Sequence, residues 1–442
     1  MKINMPQAVK EIIATLQQNN FEAYAVGGCV RDSILGREPN DWDITTSASP
    51  EEVKALFRRT IDTGIEHGTV TIMVDKVGYE VTTYRIDGKY EDGRHPTEVT
   101  FTRNLKEDLL RRDFTINAMA YNDTDGLVDI FGGMEDIEHK VIRCVGDPKA
   151  RFTEDALRLM RAIRFAAQLG YTIEEETREA MKEIAGNLKK ISAERIQVEL
   201  VKTLVSPNPF MMKDAYELGL TKYFMPEFDL AMETMQNNPH HMYTVGEHSL
   251  VSVTRIRPDK VLRLAMLMHD FGKPLCITTD EKGIDHYYGH PAKSEEMARE
   301  ILHRLKFDND TIRKVCVLIR HHDERIVPGV KYMRRAVARI GEDAFPDLFE
   351  VQEADIFAQS QYKKESKLSA LEANRRDYEE MRALNQCVSK AMLAVSGKDL
   401  IDCGMKPGKE IGRVLDAMLQ DVIEEPDHNE KEYLLKKFLP CF

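Results

Sequence analysis

The apolar positions change period along the chain, and the changes mark its elements. The opening MKINMPQAVKEIIATLQQNN predicts an amphipathic helix without the apolar core of a signal peptide. Tyr24–Thr46 (YAVGGCVRDSILGREPNDWDITT) reads as strand, glycine turn, short helix, loop and strand. SASPEEVKALF predicts a helix with Ser49 at its N-cap, Pro50 in the first helical position and Glu51 and Glu52 in the first turn. Three β-rich runs follow, Gly68–Val74, Tyr79–Tyr84 and Glu98–Phe101, with a polar glycine- and proline-bearing loop over 85–96. LVDIFGGMEDIEHKVIRCVGDP predicts a short hairpin and a turn. From there the period is helical: Leu157, Met160, Ile163 and Ala167 are apolar at helical spacing, and Lys363–Leu384 is a charged helix. The expected class is α+β, a mixed-sheet head over 1–120 followed by helical segments over 121–239, 240–365 and 366–442.

Composition narrows this picture without changing it. The 442 residues are 42% hydrophobic and 31% charged, which fits a globular chain of several domains. No apolar run approaches the roughly 20 residues of a membrane span. Seven scattered cysteines include no CxxC pair, which argues against zinc ribbons and disulfides and favours a reducing, cytoplasmic setting. The net charge of −12 means that any nucleic-acid contact has to rest on a local basic surface.

The stretch 24–46 carries the first candidate chemistry. Two glycines at a strand-to-helix turn let backbone N–H groups approach a phosphate. Asp41 and Asp43, two apart on a strand, point the same way and suit one hard cation. Glu80, on the strand YEVTTYR, is the candidate third carboxylate. Farther on, Asp155, Arg158, Arg161 and Arg164 recur every three residues on the helix predicted over 151–165. Cytosine and adenine both present an amino donor beside a bare ring nitrogen, whereas uracil and guanine present a carbonyl beside a ring N–H. A carboxylate at 155 and a guanidinium at 158 on one helical turn would accept from the first pair and donate to it, leaving the second pair opposed.

VGGCVRD…NDWDITT resembles the signature of the DNA polymerase β-like nucleotidyltransferases, in the branch of tRNA nucleotidyltransferases (CCA-adding enzymes) and bacterial poly(A) polymerases. RRDFTINA at 111–118 is similar to that branch's RRDFTxNA motif, and EDALR at 154–158 to its EDxxR motif. The resemblance implies a polymerase β-like head and two Mg²⁺ ions on Asp41 and Asp43. It also implies nucleotide contacts from Gly28, Arg31, Arg112, Asp113, Asn117, Asp155, Arg158, Arg161 and Arg164, CTP and ATP as substrates, and a tRNA 3′ end as acceptor. Within it, the loop at 85–96, similar to DGxYxDxRxP, helps the site switch from C to A. SAERIQVEL matches a structural helix, and the tail a tRNA-binding module.

A second constellation comprises His248, His269-Asp270, His290, His321-His322 and Asp355. It resembles the HD superfamily of metal-dependent phosphohydrolases. His248, His269, Asp270 and Asp355 match its four-ligand core, and His290 and His321 its second-metal positions. Imidazole with carboxylate suits Mn, Fe, Ni or Zn, and a mixed site could take Mg. Two alternatives to full CCA addition stay open: poly(A) synthesis or partial CC or A addition, and a chain that works chiefly as an HD phosphohydrolase.

Overall fold

The computed structural model describes residues 1–88 and 99–439. The chain divides into two compact units, Met1–Pro226 and Glu227–Phe442. The first opens with helix α1 (Gln7–Gln18), strand β1 (Ala23–Val26), α2 (Gly28–Ile34), β2 (Ile44–Thr46), α3 (Pro50–Leu56) and strands β3 (Thr60–Gly64), β4 (Thr69–Val74) and β5 (Val77–Thr83). It continues with β6 (Arg85–Asp87), β7 (Val99–Phe101), α4 (Leu105–Leu110), β8 (Met119–Asn122), β9 (Gly126–Asp129) and α5 (Gly133–His139). Four further helices matter below: α6 (Pro148–Glu154), α7 (Leu157–Leu169), α8 (Glu175–Ile184) and α9 (Ala193–Leu204).

Seven strands form one mixed sheet in the order β3-β4-β5-β2-β1-β8-β9. Its sole parallel pair is β2 on β5; the other pairs are antiparallel. Alternation along the strands fills both faces. Ala23 and Ala25 pack with Val9, Ile12 and Leu16 of α1, while Tyr24 and Val26 pack with Leu109 and Ala120. The predicted cap of α3 is a full capping box: Glu52 N donates to Ser49 Oγ at 3.2 Å and Ser49 N to Glu52 Oε2 at 2.7 Å.

Five expectations shift. Asp41 and Asp43 stand just ahead of β2, not inside it. Residue 120, the expected end of the head, lies within β8, and the segment expected as hairpin and turn is β9 followed by α5. Residues 85–87, expected as loop, form β6, paired with β7 in a separate ribbon; residues 89–96 of that loop lie outside the described residues. The helix expected over 151–165 is two helices broken at Asp155, because the Asp155 backbone is extended and its Oδ1 accepts from Leu157 N at 3.0 Å, capping α7.

The second unit is helical. It carries Val245–Thr254, Lys260–Met268, His290–Arg304, Asn309–His321 and Phe345–Ala358. Asp259 caps the second of these, accepting from Val261 N and Leu262 N at 2.8 and 3.1 Å, and so fixes where the helix that ends at His269-Asp270 begins. The tail has its own core, with Val395, Leu400, Met418, Val422 and Leu434 buried together. No helix among the described residues is long and apolar enough to cross a membrane.

Candidate active site and metal centre

Three carboxylates meet at one edge of the first unit. The β2–β5 register pairs Ile44 with Val81, so one step back Asp43 stands level with Glu80. Asp41, Asp43 and Glu80 line a cavity of about 760 Å³ together with Asn4, Trp42 and Tyr79. Asp43 is exposed to that cavity, and the protein beside its carboxylate removes part of its water. This desolvation raises its pKa, Asp41 raises it further, and the Arg112 guanidinium opposes both. Glu80 is raised by desolvation, then by Asp43 and Asp41. Mutual repulsion among three converging carboxylates is what a divalent cation relieves, so the donor set fits hard-metal binding.

The glycine turn lies against this cluster. Gly27 adopts φ 83°, and a Cβ there would stand 3.1 Å from Arg112 Nη1. The positive φ favours glycine, and a side chain here would also press on the end of Arg112. Arg31 Nη1 donates to Asn117 Oδ1 at 2.6 Å, Asn117 Nδ2 to Asp113 Oδ1 at 3.1 Å, and Arg161 Nε to Asp113 Oδ2 at 2.7 Å. Burial would raise the Asp113 pKa, but Arg161, Asn117 and Arg158 outweigh it and hold it at about 2. Arg31, Arg161 and Arg164 crowd the Phe165 ring at 5.1, 5.3 and 3.9 Å from its centroid. Arg164 is also buried in an ion pair with Glu199 of α9.

Asp155 and Arg158 flank the break between α6 and α7. Asp155 Oδ2 accepts from Arg195 Nη2 at 2.7 Å. Buried Arg158 donates to Glu154 Oε2 at 2.8 Å, to the Arg151 carbonyl at 2.9 Å and to the Arg111 carbonyl at 2.9 Å. The expected one-turn pairing is therefore set by a capped helix junction, and each side chain is held by partners outside the pair.

The second unit gathers a metal-ligating cluster. His248, His269 and Asp270 form one group whose ligand atoms lie within 4.8 Å of one another, and Asp270, His290 and His322 form another. Asp355 Oδ1 lies 2.8 Å from His248 Nε2. His269, His290 and His322 each turn Nδ1 to the carbonyl three residues earlier, at 2.7, 2.8 and 2.7 Å. An N–H donated there leaves Nε2 bare and aimed inward, as a metal ligand needs. Two pairs of Nε2 atoms, His248–His269 and His290–His322, stand 3.3 Å apart. Burial disfavours charge on His269, yet Asp270 and Asp355 outweigh it and raise its pKa to about 10, so the cluster calls for positive charge. A divalent cation fits this donor set.

His321 does not join the cluster. Its Nδ1 pairs with Glu324 Oε2 at 2.7 Å, and its neighbour His322 takes the expected position. The two adjacent histidines stand on different sides of the helix end, and only His322 has the backbone carbonyl that orients Nε2 inward. Sequence reasoning also passed over Asp108, Arg195, Glu199 and Phe165; alone, each is an ordinary helical residue.

Residues 23–143 match the poly A polymerase head domain family, 170–232 the RNA and SrmB-binding site of polymerase A, and 289–438 the tRNA nucleotidyltransferase domain 2 family. The chain is 37% identical over 431 residues to the CCA-adding enzyme of Levilactobacillus brevis, covering 97% of this chain and 96% of that one. It is 35% identical over 449 residues to the Limosilactobacillus reuteri enzyme of the same name, covering 99% and 98%. A crystal structure of the Bacillus stearothermophilus CCA-adding enzyme in complex with CTP aligns over 98% of both chains, with a TM-score of 0.73 and 31% identity. The mixed sheet, the carboxylate edge and these full-length relatives agree: the chain belongs to the family of CCA-adding enzymes.

Proposed function

We propose that the chain adds C, C and A to the 3′ end of tRNA from CTP and ATP, without a nucleic-acid template. The observation that carries this is the meeting of Asp41, Asp43 and Glu80 in one cavity beside the Gly27 turn and Arg112. Asp41 and Asp43 would hold two Mg²⁺ ions, with Glu80 as the third carboxylate. When bound, such ions acidify a 3′-hydroxyl and neutralise the charge of a departing pyrophosphate.

The chain's own groups do the rest. Arg112 faces the triphosphate. The Arg31–Asn117–Asp113–Arg161 network fixes the wall on which the sugar rests, and ionised Asp113 holds its partners in place. Asp155 accepts from the amino group of cytosine or adenine and Arg158 donates to the adjacent ring nitrogen, so the incoming base exchanges places with Arg195 or Glu154 at those atoms. Selection of C and A over U and G follows from donor–acceptor order alone. The protein works in the cytoplasm, with the segments after the head meeting the tRNA.

The test supplies the protein with a tRNA lacking its 3′ end, Mg²⁺ and labelled CTP and ATP. Asp43→Asn should reduce incorporation at least about 1000-fold; incorporation at the wild-type level would overturn the assignment.

A second, separate activity is favoured by the inward Nε2 atoms of the second unit. The cavity there, about 610 Å³, is lined by Asp270, His290, His322 and Asp355 with Lys273, Lys367 and Arg325 beside them. Metal ligands under basic side chains suit hydrolysis of a phosphoester. Phosphate release from p-nitrophenyl phosphate after loading with Mn²⁺ or Ni²⁺, lost in Asp270→Asn, checks it; equal release by wild type and variant would contradict it.

A further inference from the structure

We propose that Asp108 is a positioning residue for nucleotide transfer: one buried carboxylate joins the strand behind the metal-binding aspartates to the arginines that face the nucleotide. The inference rests on the transferase reading above and extends it to a residue outside the motifs that suggested that reading.

Asp108 lies in α4 and is 0% exposed. Three separate segments converge on it. Thr45 Oγ1, in β2 two residues after Asp43, donates to Oδ2 at 3.0 Å. Arg111 Nε and Nη2 donate to Oδ1 at 2.9 and 2.8 Å, and Arg112 Nη2 reaches Oδ2 at 3.5 Å. The backbone N–H of Arg85, at the start of β6, points to Oδ1 at 3.4 Å. Burial alone would raise this carboxyl, but Arg111 and then Arg112 overcome it and hold it below the usual range, so it stays ionised.

Each of these partners leads to the site. Thr45 is in register with Thr82 of β5, the strand that carries Glu80. Arg112 lies against Gly27 and acts electrostatically on Asp43. Arg111 offers its backbone carbonyl to Arg158, the base-facing arginine. Removing the charge at 108 therefore loosens the triphosphate side and the base side together, while no atom of Asp108 itself has to touch substrate. A buried ion pair that loses one partner leaves the other charges uncompensated, which is how such a residue acts through its neighbours.

The experiment uses the full chain and two variants. Asp108→Asn preserves volume but presents an amide N–H₂ to one of the guanidinium groups. It should raise KM for CTP and ATP, lower kcat/KM about 10- to 100-fold, and increase UTP misincorporation relative to CTP. Thr45→Val cuts the strand link to Asp108, together with the hydroxyl's 3.2 Å contact to the Thr82 carbonyl, and leaves the arginine contacts of Asp108 in place; it should lower kcat several-fold with KM for CTP near the wild-type value. Thermal unfolding is recorded for both, and rates are referred to the folded fraction. A purely stabilising role would lower Tm and leave KM and the C-over-U preference unchanged; that result overturns the proposal. If Asp108→Asn does not fold, wild-type kcat in Thr45→Val overturns it. A wild-type protein that extends no tRNA fails the transferase reading instead, a distinct outcome.

Discussion

Arg158 donates through Nη2 to the backbone carbonyl of Arg111 across 2.9 Å. That bond joins the junction between α6 and α7, proposed to face the base, to the Arg111–Arg112 pair. Arg158 is buried and also anchors Glu154, so its loss removes the proposed base contact and leaves Glu154 with Arg151 as its remaining guanidinium partner. Arg158→Ala should reduce CTP and ATP incorporation by about 100-fold or more, with a larger effect on kcat/KM than on overall stability. Single-nucleotide incorporation kinetics alongside thermal unfolding checks this.

Gly27 makes a second prediction. At φ 83° and with Arg112 Nη1 3.1 Å from any Cβ, alanine there is strained and pushes the end of Arg112 by a few tenths of an ångström. Gly27→Ala should destabilise the protein by about 1–3 kcal/mol and weaken nucleotide binding by displacing Arg112. Gly36 also has a positive φ but open space around it, so Gly36→Ala should cost stability through backbone strain alone and leave KM unchanged. Chemical denaturation with KM measurement separates the two.

Asp113 sets a pH dependence. Its folded pKa of about 2 lies below the ordinary value of 3.8. A depressed carboxyl contributes stability that is present above its unfolded pKa and is lost as pH falls through the folded one. The shift corresponds to about 2 kcal/mol at neutral pH. Asp113→Asn should therefore lower Tm near pH 7, and the gap to wild type should narrow between pH 3.8 and about 2. Melting curves over that range check it; a gap that widens on acidification contradicts it.

The adjacent histidines give a sharp contrast. His322 turns Nδ1 to Ile319 and Nε2 toward Asp270, whereas His321 is tied to Glu324. His322→Ala should weaken binding of Mn²⁺ or Ni²⁺ at least about 100-fold, and His321→Ala should leave it within a few-fold of wild type. Metal titration with elemental analysis distinguishes them.

Much of the head was legible because its signals are local. The cap at Ser49, the strands Thr69–Val74 and Val77–Thr83 and the glycine turn each follow from residues within a few positions. What was not legible depends on partners far along the chain. The break at Asp155 goes with an ion pair to Arg195, and the role of Asp108 with Thr45 in another strand. His321 and His322 look equivalent in sequence because one residue of helix rotates a side chain by about 100°, and only the surrounding packing says which of the two faces inward.

The central claim is most directly tested by sizing products on a tRNA that lacks its 3′ end, with Mg²⁺ and CTP alone, ATP alone, or both. The account predicts two additions with CTP alone and a third only when ATP is also present. A stop at two with both nucleotides, a long tail from ATP alone, or no extension at all would contradict it.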